Sequence, residues 1–186
     1  VLESLEEVGS GYELDASFIK IVSLKNDLNL SMNEKVTKLL EIYDKNRTFA
    51  HLVFDYLFVV DPKQAWRHLD ISQAPKIADI LWRCQKSDVD FEVVGKSSFL
   101  MELYSAKGYI QDKTNSSVFE FDMLMNLSKN SSATLGFEYV CGECKHIFPF
   151  AFHRCSHCHT LDSMELEFLL VKDYHREFDE ENNSFL

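Results

Sequence analysis

Apolar residues recur along the first two thirds of the chain at three- and four-residue intervals, the spacing that gathers them on one face of an α-helix. Over residues 15–28 that face carries Phe18, Ile19, Val22 and Leu28, with Asp15 placed to cap. A second amphipathic segment opens at Ser31: Glu34 stands three positions on, as in a capping box, and Val36, Leu39, Leu40 and Tyr43 mark one face. Lys45-Asn46-Arg47 makes a turn. Thr48 then opens a helix to Val60 that is apolar on most sides (Phe49, Leu52, Val53, Tyr56, Leu57), as expected of the centre of a core. Asp61-Pro62 ends that helix and starts the next, Asp capping and Pro taking the first helical position, and a short helix follows to Leu69.

Asp70-Ile71-Ser72 turns the chain again, and the spacing of Ile77, Ile80, Leu81 and Trp82 predicts a helix to Cys84. The pattern restarts at Ser87-Asp88 and continues through Phe91, Val94, Phe99, Leu100, Leu103 and Tyr104 to Gly108; Gly95 weakens its middle and divides it in two. A polar loop over 112–117, a helix over 118–127 and a polar linker over 128–133 complete this part. Strand signals come only at the end. Bulky residues line a first strand at 137–140, an aromatic arm spans 147–152, and residues 164–171 (MELEFLLV) form a last strand apolar enough to require docking against something.

Short antiparallel helix pairs in sequence are the signature of an α-solenoid. The fold class expected is therefore mainly α. A degenerate helical-repeat domain of tetratricopeptide-like type occupies residues 12–130, in preference to a compact bundle. A small β ribbon follows over 136–172, and an acidic tail over 173–186. The strict tetratricopeptide consensus is not met; only fragments of it occur, such as Asp61-Pro62 after an apolar helix.

The chemistry lies in the ribbon, YVCGECKHIFPFAFHRCSHC, where Cys141/Cys144 and Cys155/Cys158 form two Cys-x-x-Cys pairs separated by ten residues. Four thiolates on two tight turns can converge on one tetrahedral Zn²⁺, and they leave no position for the water that a catalytic zinc requires. A redox dithiol needs only one such pair. Cys141, Cys144, Cys155 and Cys158 are thus the expected ligands of a structural metal. Four histidines, His146, His153, His157 and His159, lie within or beside the motif and are expected to support the ligands or sit on the surface.

Charge and composition narrow the function further. A formal net charge of −11 opposes non-specific binding to nucleic acid, although Lys145, His153 and Arg154 admit a small basic patch on the ribbon. With 46% hydrophobic residues the chain can bury a substantial core. Cys84, the fifth cysteine, is left without a partner, which fits a reducing compartment, and its apolar helical context predicts a small buried side chain. Asp55, Asp61, Asp79 and Glu102 are expected on solvated faces and caps rather than in an acid–base site, and no phosphate loop, dinucleotide fingerprint or HExxH motif occurs. An enzyme is not expected. The longest apolar runs, 57–60 and 168–171, fall far short of the ~18–20 residues of a membrane span. The chain begins at Val1 rather than Met, as expected of a fragment whose anchor, if it has one, precedes it.

The pattern Tyr-x-Cys-x-x-Cys-x(10)-Cys-x-x-Cys, carried by Tyr139, Cys141, Cys144, Cys155 and Cys158 after a helical array, resembles the rubredoxin-like ribbon of the bacterial lipopolysaccharide assembly protein B family. The specific likeness covers about thirty residues; the helical part matches in kind. Where that family tends to have Gly after the first pair this chain has Lys145, and where it has Pro inside the second pair this chain has Ser156-His157. The resemblance implies a non-enzymatic adaptor on the cytoplasmic face of the inner membrane, held there by an N-terminal helix. It further implies protein partners, a membrane protease or an envelope-synthesis enzyme, through which lipopolysaccharide synthesis is regulated, and a ribbon packed against the helical repeats. Zinc is the expected metal, with iron the alternative that the rubredoxin likeness raises. A zinc ribbon associated with nucleic acid is the competing expectation.

Overall fold

The structure is a computed structural model that describes residues 12–111, 115–127 and 132–172. The acidic tail at 173–186, the first half of the 112–117 loop and most of the 128–133 linker lie outside the described residues. The chain opens with α1 (Glu13–Asn26), α2 (Met32–Lys45), α3 (Ala50–Val60) and α4 (Pro62–His68). Capping fixes two of these starts. The Ser31 hydroxyl accepts from the Glu34 N–H while the Glu34 carboxylate accepts from the Ser31 N–H, the reciprocal box the sequence predicts. At α4, the Asp61 carboxylate accepts from the Gln64 N–H at 3.1 Å with Pro62 in the first turn.

Two other starts differ from expectation. Tyr12, not Asp15, sits at the N-cap of α1, and Asp15 lies in the first turn, where its charge favours the helix N-terminus. Thr48 does not cap α3. Its hydroxyl bonds back to the Asn46 side chain, and Phe49 makes the entry with a left-handed backbone, φ 61°. α3 itself is central, with Leu52, Val53, Phe54, Leu57 and Phe58 all buried.

The single helix expected to end at Cys84 is instead a 3₁₀ segment, Ile71–Ile77, followed by the short α5 (Ala78–Arg83). Pro75 explains this: it carries no N–H and its ring collides with the preceding turn of an α-helix. Beyond a 3₁₀ turn at Lys86–Asp88, the segment around Gly95 divides into α6 (Phe91–Val94), capped by Asp90, and α7 (Ser98–Ala106), capped by Ser97. α8 (Phe119–Asn126) is the last helix described.

The three strands, β1 (Ala133–Cys141), β2 (Ile147–Phe148) and β3 (Met164–Lys172), form an antiparallel sheet in the order β2-β1-β3. β1 starts earlier than the expected 137 because β3 pairs with it along its whole length, from Ala133↔Lys172 to Cys141↔Met164. β3 docks as its apolar run requires. Phe168 meets the rings of Phe121 at 5.0 Å, Phe137 at 6.0 Å and Phe99 at 6.4 Å, and Leu135 is buried with the helical side chains. Helices and sheet therefore share one apolar cluster. A second, small cluster of Cys141, Cys155, Phe148 and Phe152 surrounds the cysteine turns. The chain is mainly helical with one small sheet.

Candidate metal centre

β1 delivers Cys141 at its end, and the turn that follows brings Cys144 back beside it. The Cys141 N–H donates to the His146 carbonyl at 2.9 Å, and the Lys145 N–H donates to the Cys141 carbonyl at 2.8 Å. The second pair repeats this arrangement. Cys155 N–H donates to the Thr160 carbonyl and His159 N–H to the Cys155 carbonyl, both at 2.9 Å. In each turn the residue after the second cysteine takes a left-handed backbone, Lys145 at φ 58° and His159 at φ 63°. That conformation disfavours L side chains. The two turns are thus equivalent, facing each other across the site.

All four sulfurs lie within 4.8 Å of one another, with Cys141 Sγ 3.6 Å from Cys158 Sγ and Cys144 Sγ 3.6 Å from Cys155 Sγ. A zinc ion bound to four thiolates at about 2.3 Å sets the sulfurs roughly 3.8 Å apart. None of the four cysteines is in a disulfide. The donor set fits one metal ion, and Cys141, Cys144, Cys155 and Cys158 form a site that can hold it.

Hydrogen bonds favour charge on Cys141 and Cys158, whereas at Cys144 the His146 N–H is outweighed by burial and the three neighbouring sulfurs, which push the thiol up to about 12. His157 and Cys158 N–H groups donate to Cys155 Sγ at 3.4 and 3.5 Å, and the Ser163 hydroxyl lies 3.2 Å from Cys141 Sγ. Burial pushes the Cys141 thiol up, but the N–H groups of Cys144 and Glu143 and the Ser163 hydroxyl outweigh it and hold it at about 6. N–H···S bonds of this kind favour the thiolate that a metal needs.

The histidines take different places. His146 and His157 stack face to face, 5.2 Å between ring centres, on the exposed side of the turns. The His159 carbonyl accepts from the Arg154 guanidinium at 3.2 Å. Arg154 also reaches the Asp15 carboxylate, an ion pair between the second turn and α1. His153 points the other way, its ring 5.6 Å from that of His51 on α3. Burial, with the positive fields of His51 and Lys25, depresses its basicity to about 4.

A second cluster joins the ribbon to the helices, and the sequence did not reveal it. Asp79, expected on a solvated face, is 4% exposed. His51 Nε2 lies 3.1 and 3.0 Å from its two carboxylate oxygens, and the Tyr139 hydroxyl donates to Oδ2 at 3.1 Å. Burial pushes the Asp79 carboxyl up, yet the hydrogen bonds and charge of His51 together with the Tyr139 hydroxyl hold it below its ordinary value. The Tyr139 phenol, half-buried beside that carboxylate, is pushed up to about 12. Glu102 is buried too, accepting from Ser98 at 2.9 Å, from the Ser116 hydroxyl and from the Ser117 N–H at 3.3 Å. Asp61 caps as expected, and Asp55 makes a surface ion pair with Arg83 at 2.9 Å. One signal was available: His51 among the apolar residues that open α3 and Asp79 within ADILW are polar positions on apolar faces, which call for partners.

Cys84 is buried as its context predicts, and burial raises its thiol to about 11, which keeps it protonated and unreactive. Among the described residues no helix is long and apolar enough to cross a membrane. Compared with known proteins, the chain matches no family profile, no curated protein and no solved structure.

Proposed function

We propose that the chain is a non-enzymatic protein-binding adaptor: a helical scaffold of degenerate repeat type, stiffened by a rubredoxin-like ribbon that a zinc ion closes. The hydrogen bond from Tyr139, two residues before the first ligand, to the buried Asp79 of α5 carries this reading. It couples the metal turns to the helices, so that ordering one orders the surface of the other. In support of a repeat, α1 packs on α2, α2 on α3 and α3 on α4, each helix against its sequence neighbour. Four thiolates support a structural role for the ion, since they complete its coordination without water. Zinc is preferred to iron because the role is structural and zinc brings no redox chemistry.

The partner class comes from the ribbon's likeness to the lipopolysaccharide assembly protein B family. It is a membrane protease or an envelope-synthesis enzyme at the cytoplasmic face of the inner membrane. The test is affinity capture from membrane extract with the metal-loaded chain and with the same chain after chelation. The proposal expects one such protein to be retained by the loaded chain and lost with the metal. Recovery of nucleic acid alone, with a steep salt dependence, would replace it by a nucleic-acid-binding ribbon.

A further inference from the structure

Beyond the short β2, one side of β1 is left open. β3 pairs with all nine residues of β1, but β2 pairs on the other side only at Tyr139↔Phe148 and Val140↔Ile147. In a strand, the N–H and C=O of residue i point to one side and those of residue i+1 to the other. The Cys141 N–H bonds His146 on the β2 side, while the Gly142 N–H bonds Ser163 on the β3 side. By that alternation Leu135 and Phe137 also aim their backbone groups to the β2 side. Continued pairing would set Phe150 against Phe137, but the chain turns away at Pro149, and the Phe150 side chain is left 65% exposed. No strand among the described residues pairs with Leu135 or Phe137 there.

Along that edge runs a cleft of about 550 Å³. Leu135, Phe137, Trp82 and Phe150 line it, together with Arg83 of α5 and the carboxylates of Asp55 and Asp79. Unpaired N–H and C=O groups in a partly dry cleft are costly to leave unbonded, and they form a template for another strand. The rings of Trp82, Phe137 and Phe150 suit bulky apolar side chains at alternate positions. The chain's net charge of −11 draws in basic flanks.

We propose that this cleft binds an extended apolar segment of a partner protein, flanked by basic residues, which adds to β1 in line with β2 and hydrogen-bonds Leu135 and Phe137. The inference rests on the adaptor reading and names the surface through which it works. Strand addition supplies affinity from main-chain bonds and specificity from alternate side chains. The metal sites the cleft as well, because the arm carrying Phe150 joins the two cysteine turns.

Amide hydrogen exchange on the metal-loaded full chain tests this, with peptides selected from a random heptapeptide display library as the probe. In the free chain the Leu135 and Phe137 amides exchange fast, while Gly136 and Glu138, facing β3, exchange slowly. A selected peptide slows Leu135 and Phe137 by about tenfold or more at saturation. Phe137→Pro, which lacks the N–H, binds it about five- to tenfold more weakly than Phe137→Ala, which lacks only the ring. Should Phe137→Pro fail to retain metal, a peptide N-methylated at alternate residues makes the same comparison from the other side.

Slow exchange of both amides in the free chain would overturn the proposal, since this chain's own residues would then cover the edge. A library that returns no binder overturns it, and so do peptides that bind without protecting either amide. Those results leave the adaptor reading standing, whose own failure shows separately as the absence of any captured partner.

Discussion

The Tyr139 hydroxyl donates to the Asp79 carboxylate at 3.1 Å, joining residues sixty positions apart in the chain. Asp79 is buried and shares its charge with His51, so Tyr139 completes a polar cluster rather than adding one to the surface. Tyr139→Phe removes the donor and leaves a buried carboxylate one bond short. The expected cost is about 1–2 kcal/mol in urea unfolding, with metal content unchanged. A variant as stable as the parent would show that this hydrogen bond does not couple the ribbon to the helices.

The same cluster sets a pH dependence. Because the folded Asp79 carboxyl is held below its ordinary value, the stability it contributes is complete above the unfolded carboxylate range, near 4. It is lost as pH falls through the lower folded value. The difference in unfolding free energy between parent and Asp79→Asn is therefore expected to be constant from neutral pH down to about 5 and to shrink in stronger acid. A difference that grows on acidification would mean that the carboxyl is protonated in the fold.

Glu102 anchors the start of α8 to α7 through Ser116 and Ser117. Glu102→Ala strands those donors and is expected to destabilise the chain by about 2–3 kcal/mol. Limited proteolysis should then cut first between α7 and α8. Glu102→Gln, which keeps an acceptor, should recover part of the loss.

Lys145 holds a left-handed backbone that costs an L residue about 1–2 kcal/mol, part of which glycine returns through its more flexible unfolded state. Lys145→Gly is expected to raise stability by up to about 1 kcal/mol with metal stoichiometry unchanged, as differential scanning calorimetry would record. Its ion pair with Glu165 is exposed, so losing it costs little. A lower melting temperature would contradict this account of the turn.

What the sequence made legible was local. The Ser31–Glu34 box, the Asp61-Pro62 restart, the division at Gly95 and the four-cysteine spacing each depend on residues within a few positions, and each stands where expected. Thr48 misled because Asn46, two residues back, claims its hydroxyl. Pro75 was visible, but its consequence, a 3₁₀ segment in place of a helix, lost to the apolar spacing around it. Asp79 and Glu102 could not be placed from sequence. Apart from Ser98, one turn before Glu102, their partners lie 14 to 60 positions away, and only the fold brings them together. The open edge of β1 likewise emerged only from the pairing register.

Chelation should loosen the two cysteine turns while the helices, whose core includes Leu135 of the sheet but none of the four cysteines, keep most of their far-UV signal. Collapse of the whole circular dichroism spectrum in Cys141→Ser would contradict that separation.

X-ray absorption at the metal edge of the purified, metal-loaded chain tests the central claim most directly. The account predicts one zinc per chain, bound by four sulfurs at about 2.3 Å with no oxygen or nitrogen in its shell. A shell with fewer sulfurs and a bound water would contradict it, because an open position turns the ion from a structural tie into a site for chemistry.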